Sequence, residues 1–224
     1  MTLFSRFTLG VTAALALSAQ AAAAPVTWTD WTDADGTSAT GTAGGVTVTF
    51  NGDLDPSAQT NGGTNYWSVN SGIFTAPGFD NAPPDSDIIR LNDGSGAQTL
   101  TFSTPVTDPL MAIMSLGRRN LEVRYDFDAP FTILNQGEGF WGGDANALSN
   151  PSGNVLSGFE GHGLIQFDGT FSTLSWTIQD PEFWHGFQIG YAESQQVPVP
   201  ASLLFLGLGL AAAGGFGLRR ALRG

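Results

Sequence analysis

Leu121-Glu122-Val123-Arg124-Tyr125-Asp126-Phe127 alternates apolar and polar side chains without a break. Successive side chains of a β-strand point to opposite faces, so such a run makes a strand with one dry face and one wet face. Val46-Thr47-Val48-Thr49-Phe50 and Thr99-Leu100-Thr101-Phe102 repeat the pattern. Further short runs rich in β-branched and aromatic residues lie at 66–69, 88–91, 111–116, 131–134, 164–167, 174–178 and 186–191, in sequence cut by Gly, Asn, Asp and Pro. These runs predict about ten strands and no helical stripe of useful length. The expected fold is all-β, an antiparallel β-sandwich of jelly-roll-like type. Shared parity within each run places Val48, Phe50, Leu100, Phe102, Ile113, Val123, Tyr125, Ile133, Ile165, Phe167, Trp176, Ile178, Phe187 and Ile189 in one core layer. The Gly/Thr/Ala-rich stretch 36–45 reads as an early loop or hairpin, and no repeat of solenoid or propeller period occurs.

Outside this single domain, residues 24–192, both ends read as targeting segments. Residues 1–23 combine Arg6, an apolar run at 7–17 and small residues that include the cleavage patterns Ala19-Gln20-Ala21 and Ala21-Ala22-Ala23. That is the pattern of a Sec-type signal peptide with an N-terminal helix, and cleavage after Ala23 is favoured. At the other end, residues 193–202 form a linker containing Val197-Pro198-Val199-Pro200-Ala201, residues 203–218 are apolar, and residues 219–224 carry Arg219, Arg220 and Arg223. As a helix, 201–218 would reach about 27 Å at ~1.5 Å per residue, enough to cross a hydrocarbon core. The arginines would hold the tail end of this transmembrane helix in the cytoplasm, leaving the domain outside.

This three-part tail resembles the PEP-CTERM sorting signal of Gram-negative bacteria in its VPxPA variant, with Val199 in place of the usual Glu. The resemblance implies export by the Sec machinery, an inner-membrane-anchored intermediate, recognition by an exosortase, and delivery to the outer surface or extracellular matrix. Tails of this kind also carry the heading ice-binding protein C-terminal domain, which describes the tail and says nothing about ice binding by the domain. Asp87-Ile88-Ile89-Arg90-Leu91, Pro109-Leu110-Met111-Ala112-Ile113-Met114-Ser115-Leu116-Gly117, Pro130-Phe131-Thr132-Ile133-Leu134 and Glu160-Gly161-His162-Gly163-Leu164-Ile165-Gln166-Phe167 resemble exported proteins that carry the same tail. That likeness supports location and architecture and brings no catalytic residues with it.

The chain has no cysteine, which removes disulfides, thiolate catalysis and Cys-ligated metals. All eight of its basic residues are arginine, and only four of them (Arg90, Arg118, Arg119, Arg124) lie within residues 24–192, against 19 of the 20 acids, the last being Glu193 at the start of the linker. A domain this acidic is repelled by phosphate backbones and anionic lipid heads, so nucleic acid is excluded as a partner.

Candidate ligand-binding residues come from aromatic pairs beside polar, Gly-rich loops: Tyr66-Trp67, Phe140-Trp141 and Phe183-Trp184. Flat rings beside polar side chains suit the faces of sugars, but a sandwich core also consumes large aromatics, about one member of each pair should point inward, and core packing is the stronger reading. The loop 136–146 is the most site-like segment because its glycines let the backbone approach a ligand, and Glu138, Trp141, Asp144 and Trp184 are the candidate contacts. Asp30, Asp33, Asp35, Asp53 and Asp55 are candidate calcium ligands. Neither stretch completes an EF-hand-like loop, and Asp-Gly and Asn-Gly are ordinary turn formers, the stronger reading. No cofactor is expected other than calcium at these acids.

Glu138, Glu160, His162 and His185 are the acid/base groups available to an enzyme, with His162, between two glycines, read as a turn residue. No G-x-S-x-G elbow occurs, and no spacing enforces a carboxylate pair. The expectation is a non-enzymatic cell-surface or matrix protein associated with extracellular polysaccharide. A lectin-like carbohydrate-binding module is the alternative and a glycoside-active enzyme the third reading. An exposed Trp141 or Trp184 on a concave face favours the lectin, and two carboxylates converging in a cleft favour the enzyme.

Overall fold

Val123, Tyr125 and Phe127 are buried, and Arg124 and Asp126 between them are half-buried. The strand that the alternation predicts therefore forms over Val123–Phe127, with Leu121 and Glu122 in the turn before it. The computed structural model describes residues 25–92, 96–180 and 182–192. Its strands, in chain order, are β1 (Val26–Trp28), β2 (Asp30–Ala34), β3 (Ser38–Ala43), β4 (Val46–Asn51), β5 (Ile89–Leu91), β6 (Ala97–Thr107), β7 (Leu110–Leu116), β8 (Val123–Phe127), β9 (Phe131–Gln136), β10 (Leu148–Ser149), β11 (Val155–Gly158), β12 (Gly161–Phe167), β13 (Thr170–Gln179) and β14 (His185–Ala192). The signal peptide 1–23, the motif at 197–201, the apolar run 203–218 and Arg219, Arg220 and Arg223 lie outside the described residues, and among those described no helix is long and apolar enough to cross a membrane.

Two antiparallel sheets pack face to face. The smaller runs β1-β14-β7-β12-β9 with β5 added beside β14, and the larger runs β10-β11-β8-β13-β6-β4-β3-β2. The layer between them is the main hydrophobic core, built on Phe50, Tyr125, Phe127, Phe167, Trp176 and Phe187. Of the residues expected there, all are buried except Ile133, which is partly buried and packs against the same cluster.

Strand β7 is buried at every position, as a run apolar but for Ser115 requires of a central strand covered on both faces. Its second cover is the excursion between β4 and β5. Trp67, Ile73, Phe74 and Ile88 pack there on Leu110, Ala112, Met114 and Leu164, forming a second core on the outer face of the smaller sheet. The expected strand at 66–69 is instead a 3-10 helix, Tyr66–Ser68, followed by another at Ser71–Phe74. The physical reason is Asn65, whose Oδ1 accepts the backbone N–H groups of Trp67 and Ser68 and so caps a helical turn. Trp67 Nε1–H then donates to the Asp87 carbonyl at 3.0 Å and pins the turn to the sheet.

The Gly-rich stretch 36–45 folds as part of two hairpins. Gly44 and Gly45, with φ of 51° and 87°, form the two-residue connection between Ala43 and its partner Val46.

Strands β12 and β14 flank β7 and both run antiparallel to it. The end of β7 and the beginnings of β12 and β14 therefore meet at one rim of the smaller sheet, which brings Ser115, Glu160 and Glu182 together.

Candidate functional site

The rim is irregular in a way that frees polar groups. Across the β12–β7 ladder Gly161 faces Leu116 and Gly163 faces Ile113, so His162 alone stands opposite Met114 and Ser115. This is a β-bulge, and it takes one backbone donor out of the ladder. That donor, the Ser115 N–H, points at His162 Nδ1 from 3.1 Å. Ser115 and Glu160 both have left-handed backbones, with φ of 56° and 63°. Non-glycine residues in that region cluster at ligand sites, because surrounding structure must hold them there.

His162 lies within β12, so the turn reading made from its flanking glycines is corrected: the glycines are sites of close approach. Because Nδ1 accepts from Ser115, Nε2 carries the ring hydrogen. Burial lowers the pKa of His162 to about 4, keeping the ring neutral. Its Nε2 has no hydrogen-bond partner and lies 3.6 Å from Glu160 Oε1, too far for a hydrogen bond and, with a neutral ring, not an ion pair. A Cβ on Gly139 would sit 2.4 Å from His162 Cγ, and one on Gly143 would sit 2.4 Å from the Glu160 carbonyl oxygen. The glycines of the 136–146 loop thus allow the backbone to approach His162 and Glu160 rather than a ligand.

Glu160 accepts a hydrogen bond from Ser115 Oγ at 2.5 Å. Glu182, on the segment leading into β14, is the second carboxyl of the rim and only 3 % exposed. The Gly117 N–H donates to this carboxyl, Arg118 Nε lies 3.6 Å from its Oε2, and its Oε1 is buried without a partner. Burial, reinforced by the nearby charge of Glu160, raises the Glu182 pKa to about 7, against the opposing pull of Gly117 and Arg118.

Above these groups stands an aromatic wall. The Trp141 and Trp184 rings meet edge to face with centroids 4.1 Å apart, and Tyr66 stacks on Trp141 at 5.0 Å. Phe140 closes on both Tyr66 and Trp141 at 4.9 and 4.8 Å. The guanidinium of Arg90 lies 5.4 Å from the Trp184 centroid and 5.3 Å from that of Phe183, and is itself held by Asp55 and Ser57. Trp141 remains 42 % exposed and Phe183 69 %. Wall and floor enclose an open cleft of ≈ 470 Å³ lined by Ser115, Arg118, Trp141, Glu160, Glu182, Phe183 and Trp184.

Of the residues singled out from the sequence, Trp141, Phe183, Trp184 and Glu160 meet in this cleft. Glu138 and Asp144 are exposed on the adjoining loop and do not line it. One inward ring per pair holds only for Trp67, with Tyr66 beside it half-buried; Phe140 and Trp141 are both exposed, and of Phe183 and Trp184 the first is exposed and the second half-buried, since those loops are not strands. His185 is buried in the core with its Nδ1 hydrogen-bonded to Tyr125 Oη, away from the cleft.

Among the candidate calcium ligands, Asp30 and Asp33 are exposed on the edge strand β2, and Asp35 Oδ1 accepts the Thr37 and Ser38 N–H groups in a turn. Asp53 accepts from Gly96 and Gln98, and Asp55 from Ser57. Among the described residues no three metal-ligating side chains cluster. Sequence reading missed Ser115, Arg118 and Glu182. Only Ser115 leaves a local trace, as the one polar residue in an otherwise apolar strand.

No family model, curated protein or solved structure matches the chain.

Proposed function

We propose that this chain is an exported surface protein whose β-domain binds carbohydrate in the cleft beneath Trp141 and Trp184. The observation that carries the reading is the exposed Trp141 ring, braced by Tyr66 and Trp184 and standing over a polar floor of Ser115, Arg118 and Glu160. A soluble domain gains nothing in stability from leaving an indole half in water, whereas a sugar ring can stack on it while its hydroxyls meet the floor. Extracellular polysaccharide is the ligand class that fits both this cleft and an acidic exported domain. Binding of the exported protein to a glycan array, repeated with Trp141→Ala, tests the reading: binding by the wild type and loss of at least tenfold in affinity support it, and an unaffected variant overturns it.

The connectivity favours a jelly roll as the finer description of the sandwich. Taking β5, β6, β7, β8, β11, β12, β13 and β14 as successive strands, the orders β5-β14-β7-β12 and β6-β13-β8-β11 follow from two nested Greek keys. For location, we infer Sec export through residues 1–23, anchoring in the inner membrane by residues 203–218 with Arg219, Arg220 and Arg223 inside, and exosortase processing at Val197-Pro198-Val199-Pro200-Ala201. The two prolines support the processing step, because each fixes its own φ and biases its predecessor away from helix.

A further inference from the structure

We propose that the cleft also hydrolyses the glycan it holds, with the Glu182 carboxyl as proton donor to the glycosidic oxygen and Glu160 as the carboxylate that activates water. The inference rests on the carbohydrate reading of the same cleft and goes beyond binding. Its basis is the convergence of two carboxyls, from separate segments, on one aromatic-walled cleft. Glycoside hydrolysis needs such a pair, one protonated and one not.

The two environments differ in the required sense. Glu182 is 3 % exposed and leaves Oε1 buried without a partner. An unpartnered buried carboxyl oxygen costs the fold stability, and a group on a bound glycan could supply the missing partner. Glu160 is half-buried and its carboxylate is oriented by Ser115 Oγ. Burial raises Glu182 to about 7, so that it holds a proton in the neutral range where a general acid is most effective. Arg118, 3.6 Å from Oε2, limits that rise and keeps the proton transferable.

The chemistry balances with water as the only co-reactant. Glu182 gives its proton to the glycosidic oxygen as the bond from that oxygen to the anomeric carbon breaks, and the electron pair of that bond stays on the departing alcohol. A water oxygen forms the new bond to the anomeric carbon and loses a proton to Glu160. Proton exchange with solvent restores both carboxyls.

The test uses the full-length protein and the extracellular polysaccharide of the producing cells, reduced with borohydride so that each cleavage appears as a new reducing end. Binding is followed in parallel by co-sedimentation. The expected result is release of reducing ends by the wild type, fastest below about pH 7 and declining above it as Glu182 loses its proton. At saturating polysaccharide, where any loss of binding no longer limits the rate, Glu182→Gln and Glu160→Gln should each slow release about 10²-fold or more. Binding without release, or release by Glu182→Gln at the wild-type rate, overturns the catalytic inference and leaves carbohydrate binding standing. Absence of binding by the wild type overturns both. Thermal melting of the two variants confirms that any loss of turnover comes from a folded protein.

Discussion

Replacing Glu182 by glutamine should change how stability depends on pH, by an amount set by its surroundings. Its carboxyl is buried against Gly117 and Arg118, and burial with the charge of Glu160 moves its pKa from 4.5 to about 7. The folded chain therefore holds this proton more tightly than the unfolded chain. Between about pH 4.5 and 7 the folded state binds more protons, so the Glu182 contribution to stability falls as pH rises through that window and is level above it. At about 1.36 kcal/mol per pH unit, the full window corresponds to roughly 3 kcal/mol. Glutamine has nearly the same shape, keeps an oxygen for the Gly117 N–H and does not titrate. The stability difference between Glu182→Gln and the wild type should thus grow by up to ~3 kcal/mol in favour of the variant from pH 4.5 to pH 8. Any constant offset from the amide cancels in that comparison, and so do the histidines, which titrate in both proteins. Urea denaturation of both proteins across this range is the assay. Parallel pH profiles would refute the reasoning, because they would mean that Glu182 titrates alike in the folded and unfolded chains.

His162, held neutral with a pKa lowered from 6.5 to about 4, acts in the opposite sense: its contribution is present above pH 6.5 and is lost as pH falls toward 4, when the unfolded chain takes up the proton first. His162→Gln should therefore flatten the acid limb of a melting-temperature profile, and an unchanged acid limb would contradict a buried neutral ring. Gly139→Ala forces a methyl to 2.4 Å from His162 Cγ and should destabilise by about 1–3 kcal/mol while weakening glycan binding through the displaced Trp141 loop; a melt and a binding curve equal to wild type would contradict the close approach. Phe50→Ala, which removes a ring packed on Trp176 and Phe187, should lower stability by about 3–5 kcal/mol in a denaturant titration without altering the binding site, and a loss below 1 kcal/mol would contradict its place in the core. For the tail, the intact mass of the mature protein from its host should lack residues 203–224; their retention would mean that the segment only anchors.

What could be read from the sequence was the part governed by local pattern. β4, β6 and β8 alternate and β7 does not, and from that follow the half-wet strands and the doubly covered central one. The segments that escaped are those where a single contact overrides pattern. Residues 66–69 have strand composition, but the Asn65 cap converts them to a helical turn. At 36–45, of the two readings loop and hairpin, the hairpin forms, although β3 is Ser, Ala, Thr and Gly with no large apolar residue; its Gly41 is required by proximity, since a Cβ there would lie 2.4 Å from the Asp30 carbonyl oxygen.

The cleft divides along the same line. Its aromatic wall was visible because tryptophan beside glycine-rich polar sequence is unusual wherever it occurs. Its floor was not, because Glu182 in Asp180-Pro181-Glu182-Phe183 looks like any surface acid until the antiparallel pairing of β14 with β7 carries it under Trp184 and against Gly117. The bulge at His162 is the deeper reason: with strict register Ser115 would give its N–H to β12, and His162 would lose the donor that fixes its tautomer. One extra residue in β7 thus orients the ring behind Glu160, and with it the surroundings of the carboxylate that faces Glu182 across the cleft. The site is a property of register, and register is decided by which strands pair, which no local stretch of this sequence specifies.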